Sequence, residues 1–177
     1  SSGKTDFPDD FFHFTYSHSV FEHVADLRGV AAEIGRVTAP RGAGYHCYPA
    51  RWCIVEGHLL MPFVHWLPKN CLRRVAIRIC MLLGREPHWK ELERMTMGEK
   101  VAAYYDYSVR KTYYRCYPEV RKLFQLGGVA VRCISLSHPK VLSHPMLRPV
   151  LRLAVGRATV ALLLRTFKFV ELLIERG

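Results

Sequence analysis

The sequence predicts an α/β fold organised around a parallel pair of strands, and three observations carry that expectation. Residues 11–16, Phe-Phe-His-Phe-Thr-Tyr, form a dense apolar and aromatic run too short for a buried helix, so they read as a fully buried strand. The run empties through Ser17-His18-Ser19 into apolar residues at three- and four-residue steps. A turn punctuated by Pro40 and Gly42 then leads into a second short strand. Strand, helix, turn and strand in this order make a βαβ unit with a right-handed crossover. Ligands of open α/β sheets bind beyond the carboxyl ends of such strands, so residues 17–19 are where chemistry is first sought.

Composition sets the outer bounds. The chain has 177 residues, enough for one domain with a sizeable core, and half of them are hydrophobic. That excludes the disordered and fibrous classes. The formal net charge of +11 favours an anionic partner, whether nucleic acid, a membrane surface or a phosphorylated or nucleotide-like ligand; a basic solvated surface, or a face docked on an acidic neighbour, explains it equally well. The six cysteines are scattered without a Cys-x-x-Cys pair, as expected of reduced, mostly buried thiols in a cytoplasmic protein. Ser1-Ser2-Gly3-Lys4 is polar with no apolar stretch behind it, and no charge-free run approaches the ~20 residues of a spanning helix, so neither a leader nor a transmembrane segment is expected.

The elements follow in order. Residues 20–35 read as a helix with Val20, Val24, Leu27, Val30, Ala31 and Ile34 on one side; Ser19 is placed as N-cap and Glu22 completes a capping box. Residues 38–42 form the turn, and residues 42–48 the second strand, ended by Pro49. Residues 49–68 are aromatic, His-rich and Pro-punctuated, and are expected to line or cover the site. Residues 71–83 read as an amphipathic helix with Leu72, Val75, Ala76, Ile79, Leu82 and Leu83 facing inward and Arg73, Arg74 and Arg78 outward. The tyrosine-rich region 89–124 is helical, residues 126–135 make a third strand after Gly127-Gly128, and two helical pieces follow, about 145–155 and from Gly156 to the end.

Several constellations bear on chemistry. His46, Cys47, Cys53, His58 and His65 are spaced wrongly for a zinc knuckle, so no metal is expected from them. His58 stands beside Glu56, a pairing that suits a general base as well as a histidine bonded into an aromatic loop, the latter being the simpler reading. Glu22-His23 sits in the first turn of the predicted helix, where capping is its simpler role. The tyrosines read as a packed aromatic layer before a set of hydroxyls lining a cleft. The basic helices are either solvated surface or contacts for an anionic membrane. No motif organises the basic residues for specific nucleic-acid binding.

Asp6-Phe7-Pro8-Asp9-Asp10, the strand at residues 11–16, Ser17-His18-Ser19, Val20-Phe21-Glu22-His23-Val24 and the turn Arg36-Val37-Thr38-Ala39-Pro40-Arg41-Gly42 together resemble the second half of a class I S-adenosylmethionine-dependent methyltransferase of the small-molecule, type 11 kind. Tyr113-Tyr114-Arg115, Glu119, Phe124 and Gly127-Gly128-Val129 also resemble the lead into the last strands of that fold, so the likeness covers residues 5–135. His13 departs from the family's usual aspartate, and Arg41 replaces a glycine where a positive φ would be strained.

The resemblance implies a partial Rossmann-like methyltransferase sheet, from strand four onward, with a helical cap and C-terminal helices. The family's glycine-rich cofactor loop and its ribose-binding acidic residue have no counterpart in the sequence. A truncated chain is therefore expected, with its first strand left as an exposed apolar edge. The implied division is a partial methyltransferase domain at 1–140, with the 49–125 loop and cap inserted, and amphipathic helices at 141–177. The implied function is methyl transfer from S-adenosylmethionine to a small-molecule or lipid-linked acceptor. Ser17, His18 and Ser19 would border the methionine end of the cofactor, while Glu22, His23 and His58 would face the acceptor with His58 as base. Residues 49–68 and 104–117 would cap the acceptor. The competing expectation is a non-catalytic basic module, peripheral to an anionic membrane or docked on a partner.

Overall fold

The computed structural model describes residues 3–177. Phe12–His18 form strand β1, which pairs in parallel with β2, Thr38–Pro49, in the register Phe14↔Ala43 through His18↔Cys47. Helix α1, Leu27–Val37, makes the crossover between them. The remaining helices are α2, Cys71–Leu82; α3, Met97–Arg110; α4, Tyr117–Leu126; the one-turn α5, Pro139–Leu142, and α6, Arg148–Leu151; and α7, Ala154–Phe167. Strands β3, Ala130–Cys133, and β4, Phe169–Glu175, complete a four-stranded sheet in the order β1-β2-β4-β3, with β4 antiparallel to both neighbours. The Rossmann-like α/β architecture with a helical cap expected from the sequence is the one observed.

Several element-level expectations need correction. The first strand is not buried: β1 is the sheet edge, Phe14 and Tyr16 are exposed, and Tyr16 stacks on Tyr45 at 5.9 Å between centroids. The aromatic density that suggests burial lies instead on the exposed edge that the resemblance implies. The capping box at Ser19 and Glu22 does not form. Ser19 has φ 54°, outside the β region typical of an N-cap, and Phe21–His23 make only one 3-10 turn, whose N-cap is Val20 with no side-chain hydrogen bond. The α-helix begins at Leu27, where the Asp26 side chain accepts from the Gly29 N–H at 3.1 Å. Residues 38–42 belong to β2, with a register shift opposite Phe12 and Phe14 in place of a free turn. Arg41 does take a positive φ, 63°, held as its N–H donates to the Arg176 carbonyl at 3.0 Å.

The tail is the next correction. Residues 169–175 are not helical: they form β4, the strand between β2 and β3. Val170, Glu171, Leu172 and Ile174 are all buried, and a central strand covered on both faces reads as a nearly continuous apolar run that fits helical spacing as well. Helix α7 ends at Phe167, and the Lys168 N–H closes it by donating to the Leu164 carbonyl at 2.9 Å.

Helix α2 lies where expected but faces the opposite way. Arg73, Ile77, Cys80 and Met81 are buried, whereas Leu72, Val75, Ile79, Leu82 and Leu83 are exposed. Burial of Arg73 is tolerated because its guanidinium donates to the carbonyls of Leu67 and Ser108, and to that of His65 at 3.3 Å. With its donors met, the arginine can anchor the inner stripe.

Two apolar clusters result. Phe21, Leu27, Tyr48, Phe124, Val170 and Leu172 belong to one, between the sheet and α1 and α4. These helices meet so closely that a Cβ at Gly35 would lie 2.2 Å from the Gly127 carbonyl. Leu59, Met61, Val64, Ile77, Met81 and Tyr104 belong to the other, inside the cap built from the 49–68 segment, α2 and α3.

Candidate active site

The seam between these clusters is built from three pieces of chain. After β1, the positive φ of Ser19 turns the backbone, and the Ser19 N–H donates to the Cys47 carbonyl at 2.8 Å. The 3-10 turn that follows delivers Glu22 and His23. It is tied to the segment between α3 and α4, because the Tyr113 N–H donates to the Glu22 carbonyl at 2.6 Å. Arg115 adds two clamps, donating to the carbonyls of Phe21 at 3.1 Å and Ala25 at 2.7 Å. The cap supplies Glu56 and His58 on a tight loop between Val55 and Pro62, which bridge each other.

Glu22, His23 and His58 offer ligand atoms all within 4.8 Å of one another. His23 Nε2 lies 3.1 Å from His58 Nε2. The other nitrogen of each ring is committed: His23 Nδ1 is 2.7 Å from the Lys111 carbonyl, and His58 Nδ1 is 3.0 Å from Glu56 Oε1. A carbonyl and a carboxylate only accept, so each Nδ1 carries its hydrogen, and the two Nε2 atoms present lone pairs to each other. That placement calls for a positive charge, a proton or a cation, between the two rings.

The surrounding electrostatics suit that charge. Glu56 is buried, which would raise its pKa, but hydrogen bonds from His58, Tyr114 and the Leu59 N–H outweigh burial and hold it low. The Glu56 hydrogen bond in turn raises His58 against the opposing effect of its own burial. Burial raises the Glu22 carboxyl, and its Oε2 has no hydrogen-bond partner among the described residues. Tyr114 is pushed upward, first by burial and then by Glu56.

The three residues expected on the acceptor side are therefore brought together. The trio expected on the cofactor side splits. Ser17 Oγ lies 2.8 Å from His46 Nδ1, whereas His18 points to the opposite side of the sheet, near the Phe169 ring, with Ser19 Oγ 3.1 Å from its Nδ1. His46 is buried and its pKa pushed down to about 4 by that burial. Sequence reasoning missed Tyr114 as the third member of the Glu56–His58 group and the Lys111 carbonyl that orients His23. Fifty-eight positions separate Glu56 from Tyr114, so no local spacing signals the pair.

Two openings flank the seam. One, of about 380 Å³, is bounded by His58, Trp89, Glu91 and Tyr107. The other, of about 540 Å³, lies behind Tyr114 and presents Arg51, Lys69, Arg73 and Arg115.

Residues 2–45 match a family model described as a methyltransferase domain. No curated protein matches the chain. Among solved structures, an S-adenosylmethionine-dependent methyltransferase from Mesorhizobium loti is similar at 12% identity and a TM-score of 0.50, over 99% of this chain and 67% of that one. A putative methyltransferase in complex with the Haloferax volcanii Trm112 activator is similar at 13% identity and TM-score 0.48, over 100% of this chain and 59% of that one. A putative sarcosine dimethylglycine methyltransferase from Galdieria sulphuraria gives 13% and 0.43, over 100% and 57%. The chain thus spans from just over half to about two thirds of the length of these proteins. Its fold is similar to that of the Mesorhizobium loti S-adenosylmethionine-dependent methyltransferase, and residues 2–45 match the methyltransferase-domain model.

Proposed function

We propose that this protein takes part in methyl transfer from S-adenosylmethionine to a small-molecule or lipid-linked acceptor, with His58 as the acceptor-side base. The observation that carries this reading is the convergence of Glu22, His23 and His58 just beyond the carboxyl end of β1. The cofactor supplies an electrophilic methyl group on its sulfonium. Ser17 and Ser19 suit its methionine end, because hydroxyls both donate and accept and so can pair with a carboxylate and an ammonium alike. Glu56 fixes the tautomer and orientation of His58, leaving Nε2 to take a proton from an acceptor entering between Trp89 and Tyr107. The cationic cleft behind Tyr114 supports an acceptor with an anionic group.

Calorimetric titration of the protein with S-adenosylmethionine tests this. Saturable binding weakened by Ser17→Ala and Ser19→Ala, but unchanged by His58→Gln, is expected. Absence of saturable binding, or weakening by His58→Gln alone, overturns the assignment.

A second reading has its own observation, the outward apolar stripe of α2 flanked by exposed Arg74 and Arg78. Apolar side chains bordered by arginines match an anionic bilayer in both polarity and charge. No helix among the described residues is long and apolar enough to cross a membrane, so this contact would be peripheral. Sedimentation with phosphatidylserine vesicles should show salt-sensitive binding that Leu72→Ser/Ile79→Ser abolishes; salt-independent or absent binding rules the reading out.

A further inference from the structure

We propose that Glu22, His23 and His58 form a binding site for one divalent transition-metal ion of the zinc type, with Nε2 of each histidine and the unpartnered Oε2 of Glu22 as ligands. Two imidazole nitrogens on a tetrahedral zinc, each about 2.0–2.1 Å from the metal, sit about 3.3 Å apart. The observed Nε2 separation is 3.1 Å. The lone pairs are therefore already converged at nearly the spacing that an ion between them requires.

The surroundings of the three ligands are also those of a metal site. A metal-bound histidine donates its other N–H to a carboxylate or a backbone carbonyl, which fixes the ring and strengthens the ligand. Both histidines do so, His58 to Glu56 and His23 to the Lys111 carbonyl. Glu22 contributes an independent indication: its side chain is 2% exposed, yet Oε2 has no partner among the described residues. A carboxylate oxygen left unpaired at that depth is costly unless a cation meets it. Two imidazoles and one carboxylate favour zinc or a neighbouring late transition ion over magnesium or calcium, which take oxygen ligands. His23 is exposed and His58 half-exposed, so a fourth position remains open to water or a ligand, as in catalytic rather than structural zinc sites.

The absence of paired cysteines hid this arrangement, since its histidines lie 35 positions apart and meet only across the seam. The inference uses the same side chains as the methyl-transfer reading but does not depend on the reaction. An ion would occupy the lone pair by which His58 acts as a base, so the loaded and the base-competent forms are distinct.

Zinc chloride titrated against a chromophoric chelator, with neither cofactor nor acceptor present, provides the test. One zinc per chain is expected. His23→Ala, at an exposed position whose loss should leave the fold intact, is expected to weaken binding at least about tenfold, and Glu56→Gln about 10–100-fold through loss of ring orientation. Circular dichroism melts confirm that each variant is folded, and cobalt(II) substituted for zinc should show no thiolate charge-transfer absorption. No stoichiometric binding, affinity unchanged in folded His23→Ala, or a cobalt–thiolate band from the free cysteines would each overturn the site. Because binding is read without S-adenosylmethionine, failure here leaves the methyl-transfer reading standing, and failure of that reading leaves this one standing.

Discussion

The sheet layer and the helical cap are both closed by apolar cores, but they are closed differently. The sheet core draws on residues far apart in the chain, from Phe21 through Phe124 to Ile174, interlocked by strand pairing and by the close crossing of α1 and α4 at Gly35 and Gly127. The cap core is assembled within residues 59–104 from aliphatic side chains, two methionines, a cysteine and one tyrosine, and it leaves an apolar stripe of α2 uncovered. The functional cluster belongs to neither core. Glu22 and His23 come from the sheet layer, and Glu56 and His58 from the cap. The clamps of Arg115 on Phe21 and Ala25, and of Tyr114 on Glu56, hold the layers in register. An arrangement of this kind makes the geometry of the cluster a readout of how firmly the layers are joined.

The sharpest way to break the comparison is to empty each core in turn. Phe124 is fully buried against Phe21 and His46, so Phe124→Ala should cost about 3–5 kcal/mol. Ile77→Ala in the cap should cost about 2–5 kcal/mol. If the Arg115 and Tyr114 clamps unite the layers, urea unfolding shows a single transition in each variant. A cap transition that moves in Ile77→Ala while the sheet transition stays fixed would show that the layers fold separately.

Acid should weaken both layers, each through one buried histidine. His46 is held neutral in the fold with a pKa of about 4, whereas in the unfolded chain it titrates near 6.5. The unfolded state therefore binds the proton first, and stability falls as pH drops from about 6.5 towards 4, by about 3 kcal/mol at the lower limit. His65, in the cap, is lowered to about 4 by burial and adds a loss of the same sign. His46→Gln should remove its share of the slope between pH 7 and pH 4 in thermal melts; an unchanged slope would assign the acid sensitivity elsewhere.

These regions also differ in how much of them the sequence disclosed. The βαβ unit was legible because its signals are local: an aromatic strand, a small polar exit and a helix at regular steps. The convergence of Glu22, His23 and His58 was reached through the resemblance and the Glu56–His58 neighbourhood, without any view of the contact itself. What stayed hidden depends on tertiary position. The apolar content of β1 cannot distinguish a central strand from an edge, and the residues of β4 fit helical and strand periods equally until pairing with β2 decides between them. Tyr114 was legible only as one tyrosine of the expected cap, since its bond to Glu56 exists only once the chain has closed across the seam. Helix α2 is the clearest case, because periodicity finds the stripe but not which way it faces.

That case yields the smallest predicted effect and a sensitive discrimination. If α2 truly buries Arg73 and Ile77, then Leu72→Ser/Ile79→Ser replaces side chains already in water, and stability should change by no more than about 0.5 kcal/mol per site. The inward orientation expected from the sequence makes the opposite demand: both leucine and isoleucine would be core residues, and their loss would cost several kcal/mol. Urea midpoints of this double variant, set beside those of Ile77→Ala, separate the two orientations without a new structure. Near-neutral stability would also make the pair a clean probe of the bilayer reading, because any loss of vesicle binding could then be assigned to the exposed stripe and not to a damaged cap.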